Sequence, residues 1–193
     1  EYMNLSRIDC LYIAKSLSHS STLTGELIVA LRSGANVVLA PTIVPPRYVL
    51  NRIDEFSITT LCLNPTLLRM YSEEYRKKKF NINSLRTIYC SGSILCDRVY
   101  LDAHEVFKGI DIFNVYGLSE AGPRVTAQTK ECCKSNSVGK AIQGVEFIIV
   151  DDNGIPVSNG ERGVIHVNTP SCYSGYVTGV EKHKSLYRNW LNT

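Results

Sequence analysis

Between residues 36 and 116 short apolar runs alternate with longer amphipathic stretches, one pair about every 25 residues. The run NVVLA (36–40) is a strand candidate. Pro45-Pro46 after it can open a helix over 47–56, because a first helical turn needs no backbone donors. ITTLCL (58–63) is apolar and β-branched, the composition of a buried strand. Asn64 is placed to cap, and Pro65 to begin, a helix reaching about residue 78, with Leu67, Leu68, Tyr71 and Tyr75 on one face. RTIYC (86–90) repeats the strand pattern and SGS (91–93) is a turn. A helix over 97–108 then turns Val99, Ala103, Val106 and Phe107 inward, and 110–116 forms the next strand. Upstream, 23–33 predicts a further helix closed by Gly34.

Nearly continuous apolar strands alternating with helices imply an α/β fold, a parallel sheet with helices on both faces. Past residue 136 the texture changes. Residues 145–150 and 163–167 read as strands and DDNG (151–154) as a strong turn, with no long helical pattern between them. The expectation is an α/β subdomain over 1–136, followed by a small antiparallel β subdomain over 137–193 that is truncated at its C-terminal end. The chain opens at Glu-Tyr and stops at Asn-Thr, the pattern of a piece of a longer protein.

Composition narrows the class. With 193 residues, 44% hydrophobic and 20% charged, the chain can bury a real core and reads as a globular protein. A net charge of +3 is too small and too scattered to suggest a nucleic-acid partner, and the basic run at 76–79 reads as a solvated helix face. The seven cysteines are odd in number and form no C-x-x-C pair, which favours reduced thiols in a cytoplasmic protein over disulfides or zinc. The four histidines, His19, His104, His166 and His183, are too far apart in sequence for a local metal motif. No apolar run is long enough to span a membrane.

In an open parallel sheet, ligands bind in the crevice beyond the carboxyl ends of the strands. Ser91-Gly92-Ser93 leaves one strand end and Tyr116-Gly117-Leu118-Ser119-Glu120 leaves the next. One right-handed crossover separates them, so both turns belong on the same edge. Flexible backbone, hydroxyls, an aromatic face and one carboxylate suit a planar base on Tyr116, phosphate oxygens near Ser119, and Mg²⁺ on Glu120. The alternative is structural: Tyr116 ends a strand inside the core, and Ser119-Glu120 starts a helix as cap and dipole partner. Spacing alone leaves both open.

In company, these residues resemble the AMP-forming acyl- and aryl-acid ligase superfamily, which comprises acyl-CoA synthetases, peptide-synthetase adenylation domains and luciferases. Tyr116-Gly117-Leu118-Ser119-Glu120 is similar to its Y-G-x-[ST]-E signature, and Ser91-Gly92-Ser93 to its earlier S-G-x strand end. Downstream, SVGKAIQGVEFIIVDDNGIPVSNGERGVIHV (137–167) resembles the family's glycine-rich stretch ending in G-E-x-G-E-I-x-V, and YSGY (173–176) its G-Y. YRNWLNT (187–193) resembles the run into a threonine-glycine-aspartate motif.

The resemblance implies ATP, Mg²⁺ and either CoA or a carrier-protein pantetheine as cofactors and acceptors. Tyr116 would stack on adenine, while Asn114 and the Ser91-Gly92-Ser93 backbone would line the base. Ser119, in place of the commoner threonine, would contact the α-phosphate; Glu120 would bind Mg²⁺; Gly117 would lie against the acyl substrate. His19 resembles a residue walling the acyl pocket. Val164 replaces the usual second glutamate of G-E-x-G-E. HSSTLTGE (19–26) lacks the first glycine and the lysine of the family's phosphate loop and is rejected as that loop. The phosphate loop, the ribose-binding aspartate and the C-terminal domain are expected outside the chain, which would be inactive alone. Amino-acid-activating members place an aspartate near the His19 region, and none stands there. The expected activity is therefore an acyl-CoA synthetase using a simple carboxylic acid. The alternatives are an adenylation domain loading a carrier protein and a non-catalytic nucleotide-binding relative.

Overall fold

The computed structural model describes residues 2–41, 45–177 and 190–193. Its larger sheet has seven strands in the order β2-β1-β3-β4-β5-β6-β7. The strands are β1 (Cys10–Ile13), β2 (Asn36–Leu39), β3 (Thr60–Leu63), β4 (Thr87–Cys90), β5 (Asp111–Tyr116), β6 (Thr126–Ala127) and β7 (Lys140–Ala141). The first five pair in parallel, whereas β6 runs antiparallel to β5 and β7 antiparallel to β6. A separate three-stranded antiparallel sheet holds β8 (Glu146–Val150), β9 (Val164–Asn168) and β10 (Leu191–Asn192).

Helices cover both faces of the larger sheet. Side chains alternate across a strand, so Tyr12, Leu61, Leu63, Ile88, Cys90 and Ile112 face one way. There they meet α2 (Pro46–Glu55), α3 (Pro65–Lys77) and α4 (Asp97–Val106), through residues such as Leu50, Ile53, Leu68 and Ala103. Burying each such aliphatic side chain contributes about 1.5–3 kcal/mol. The intervening Leu11, Ile13, Cys62, Tyr89, Phe113 and Val115 face the opposite way, towards Met3 and Ala30. Asn64 caps α3, its Oδ1 accepting from the Leu67 N–H at 2.8 Å, as the sequence predicts.

Ala30 lies on α1, which is built of Ser20–Thr22, a π-helical stretch Leu23–Ile28, and Val29–Ser33. The sequence predicts this helix only from residue 23, and it does end at Gly34, whose φ of 70° is left-handed. The widened π turn is what the pattern does not reveal. It brings Thr22, Gly25 and Glu26 inward and leaves Leu23, Ile28 and Leu31 exposed. β1 is also unforeseen, because four apolar residues carry no periodicity until the chain at 36–39 and 60–61 pairs with them. β7, at 140–141, carries the larger sheet's pairing beyond residue 136. His183 and residues 187–189 of the YRNWLNT run lie outside the described residues.

The amino-terminal ends of β1, β3 and β4 are tied by one carboxylate. Asp9 accepts from the Ser6 N–H and hydroxyl and from the Thr59 hydroxyl, each at 2.9 Å, and pairs with Arg86. Burial alone would raise its pKa, but the hydrogen bonds from Thr59 and Ser6, with the Arg86 charge, hold it below the usual carboxylate range. A carboxyl lowered in the folded state stabilises above its unfolded value, and that contribution fades as pH falls through the folded value. Asp9→Ala should therefore lower unfolding free energy by about 1–3 kcal/mol near neutrality. In urea titrations the gap from wild type should close as pH drops below about 4.

Candidate active site at the carboxyl edge

The register Cys90↔Asn114 sets the ends of β4 and β5 side by side. Gly92, Ser93, Asn114, Tyr116 and Gly117 accordingly line one cavity of about 360 Å³, closed on its far side by residues 136–138. Ser91 lies beneath it, buried, with its N–H on the Leu63 carbonyl at 3.0 Å. Asn114 braces the closing loop: its side-chain amide donates to the Ser137 carbonyl at 2.9 Å, and its backbone N–H donates to Gln128 Oε1 at 2.8 Å. Gln128 is fully buried and donates in turn to the Ser137 carbonyl, a role that sequence reasoning missed.

Tyr116 is half-buried and combines both readings open at the sequence level. One side packs on the small cluster of Ala121, Val125 and Val167, and the residue also lines the cavity. Its hydroxyl donates to Thr193 Oγ1 at 2.8 Å. The capping alternative for Ser119 does not hold. Residues Ser119–Ala121 form one 3₁₀ turn whose N-cap is Leu118, without a side-chain cap. The Ser119 hydroxyl instead meets the hydroxyl of Ser20, at the start of α1, at 2.7 Å. Glu120 is half-buried and receives the Tyr176 hydroxyl on Oε1, while its carbonyl accepts the Tyr173 N–H at 2.9 Å. The bond to the Glu120 carboxylate pushes the Tyr176 phenol up to about 12, so it stays protonated and donating through neutral pH. YSGY stands out in the sequence, but its contact with Glu120 does not.

Gly117 is required by close backbone approach. A Cβ there would sit 1.9 Å from the Pro123 carbonyl oxygen and 2.7 Å from Arg124 Cα. His19 is exposed just before α1, its carbonyl accepting the Thr22 and Leu23 N–H groups, and lines neither cavity at this edge. Its position next to Ser20 brings it near the Ser119 turn through the backbone.

The second cavity, of about 640 Å³, lies across the Gly117 contact, with Thr24, Gly25, Pro123, Arg124 and Cys132 among its walls. Arg124 is 6% exposed and donates from Nε to the Tyr2 hydroxyl at 3.0 Å. Glu26, fully buried in the π stretch, takes Lys15 at 2.5 Å on Oε1 and lies 3.7 Å from Arg124 Nη2. Burial raises the Glu26 carboxyl, with Lys15 and Arg124 opposing.

Among the described residues, no group of three or more His, Cys, Asp or Glu side chains could hold a metal ion. A single carboxylate still fits Mg²⁺, which binds through one or two carboxylates plus substrate phosphates. Glu120, beside the exposed Ser119 hydroxyl, is such a carboxylate. Among the described residues, no helix is long and apolar enough to cross a membrane.

Comparison with known proteins bears on the family and the fold. The chain is 28% identical over 193 residues to an indoleacetate–CoA ligase of Aromatoleum aromaticum (strain DSM 19018 / LMG 30748 / EbN1), covering 98% of this chain and 37% of that protein. It is 29% identical to the mitochondrial acyl-coenzyme A synthetase ACSM4 of Mus musculus, over 72% of this chain and 24% of that one. The solved O-succinylbenzoate coenzyme A synthetase (MenE) from Bacillus subtilis, in complex with AMP, superposes with a TM-score of 0.83 at 24% identity. That superposition covers 99% of this chain and 39% of the other. The anthranilate CoA ligase AuaEII, in complex with anthranoyl-AMP, gives 0.83 at 22% identity, over 98% and 37%. These two likenesses establish the fold, and the chain spans less than two-fifths of each of these four proteins. A family profile described as AMP-binding enzyme matches residues 2–177, and to that family the chain belongs.

Proposed function

We propose that this chain is the central part of an AMP-forming acid–CoA ligase, with the nucleotide held at the carboxyl edge of β4 and β5. One observation carries the reading: Tyr116 and Gly117 line a cavity at the strand end, and Ser119 and Glu120 follow three and four residues after Tyr116 in a single turn. A planar base fits against Tyr116 over the backbone of Gly92 and Ser93, leaving the phosphates to extend towards Ser119. Residues 1–136 then supply the nucleotide edge, and the β part from 137 supplies Tyr176 against Glu120. CoA is favoured over a carrier-protein pantetheine because the curated relatives named above are CoA ligases. All seven cysteines are free thiols, which supports a reducing compartment such as the cytoplasm.

In the first half-reaction a carboxylate oxygen of the acid forms a bond to the α-phosphorus of ATP. The bond to the bridging oxygen breaks and pyrophosphate leaves. The second half-reaction forms a C–S bond from the CoA thiolate to the acyl carbon and releases AMP. The protein's contribution is positioning and electrostatic stabilisation of the crowded phosphate oxygens. Ser119 donates to the α-phosphate once its hydroxyl exchanges Ser20 for the ligand. Glu120 would hold Mg²⁺, which when bound would neutralise charge on the phosphates. Tyr176 keeps the Glu120 carboxylate oriented, its proton secure at neutral pH.

In the full-length protein, Glu120→Ala should slow acid-dependent pyrophosphate release about tenfold or more, roughly 1.4 kcal/mol in the barrier. An unchanged rate would remove Glu120 from the mechanism. Tyr116→Ala should weaken ATP binding by about 1–3 kcal/mol, the usual worth of a base on an aromatic face. Tyr116→Phe, which keeps the ring and loses only the bond to Thr193, should retain most of the affinity by calorimetry.

A further inference from the structure

Gly117 lines the smaller cavity, and the space its missing side chain leaves is filled by the Pro123 carbonyl and Arg124 Cα, which belong to residues lining the larger one. The two cavities are thus one backbone thickness apart. α1 links the same points from the other side: Ser20 meets the Ser119 hydroxyl, and Thr24, whose hydroxyl donates to the Ser20 carbonyl, lines the larger cavity. Gly122, three residues on from Ser119, also lines the larger cavity, which offers space for the tail of an acid that reacts at the Ser119 turn.

That space has a buried cation with unused capacity. A guanidinium has five N–H donors. Among the described residues only Nε–H of Arg124 is in a hydrogen bond, to Tyr2, since Glu26 at 3.7 Å from Nη2 is beyond hydrogen-bonding range. Glu26 Oε1 already holds Lys15, so Lys15 and Arg124 share one carboxylate. Arg32 and Lys140 add basic groups to the cavity wall against the acidic Glu131. Gly25 leaves room for the guanidinium, since a Cβ there would come within 3.2 Å of Arg124 Nε. Arg124 lines the cavity, where a carboxylate would both neutralise the guanidinium and accept from it bidentately. A purely apolar tail would do neither.

We infer that Arg124 is a specificity-determining residue that binds a second, remote anionic group, so the ligase activates dicarboxylic-type acids. This rests on the ligase reading above and deepens it.

The test uses the full-length protein and matched acids: hexanoate against adipate, and phenylacetate against 4-carboxyphenylacetate. Pyrophosphate release should favour the dicarboxylate of each pair about tenfold or more in kcat/KM. Arg124→Met leaves the Lys15–Glu26 pair balanced, and it should cut that preference by about tenfold or more. Arg124→Lys keeps the charge without the fork and should fall between. A second readout needs no turnover. Cys132 lines the same cavity, and its thiol is lowered by the Thr129 hydroxyl bond and the Lys140 charge. Without ATP, adipate should slow iodoacetamide alkylation of Cys132, followed by peptide mass spectrometry, in wild type but not in Arg124→Met. Equal turnover within each pair, or a preference unchanged in Arg124→Met, overturns the inference and leaves the ligase standing. No turnover of any acid, with Cys132 still protected by adipate through Arg124, overturns the ligase and keeps the anion site. Neither turnover nor protection overturns both.

Discussion

The structure depends first on the parallel pairing of β4 with β5. Parallel strands joined by a helix end on the same edge, and the register Cys90↔Asn114 fixes how far each turn projects there. Everything proposed for the nucleotide follows from that edge. Gly92 and Ser93 come from one strand end, Tyr116 and Gly117 from the other. β6 then reverses direction along β5, bringing Val125 back to the Tyr116 carbonyl at 2.9 Å. The reversal is what folds Pro123 and Arg124 against Gly117, and only a residue without a side chain allows that approach.

Paired polar groups around this edge hold the loops in one arrangement. Asn114 and Gln128 fasten the 134–139 loop over the smaller cavity, while Glu120 and Tyr176 tie the β part to the Ser119–Ala121 turn. Each bond alone is modest, about 0.5–1.5 kcal/mol. Their joint effect is to fix where Tyr116, Ser119 and Glu120 stand before any ligand arrives, and preorganised positions cost nothing at the moment of reaction. The Arg124–Glu26–Lys15 cluster differs in carrying two cations on one carboxylate. Lys15 reaches the carboxylate from a partly exposed position, whereas Arg124 is buried and lines the larger cavity, and that placement is the physical ground for assigning it a ligand.

The chain alone determined the α/β character, the order of strands and helices from residue 36 to 116, and the β hairpin across the turn at 151–154. These follow from local periods and from turn and cap chemistry, as Asn64 and Gly34 illustrate. It also singled out Tyr116, Ser119 and Glu120, because hydroxyl and carboxylate at a strand end are locally conspicuous. Only the tertiary structure decided what these residues touch. Ser20, Gln128, Tyr176 and Thr193 reach the site from far along the chain, and long-range contacts leave no periodic trace. Only folding made β1 a strand, since its four apolar residues needed partners on both sides. And only folding turned Glu26 and Arg124 inward, since a helix face reads as buried or exposed by pattern until a π turn and a distant cation reverse it.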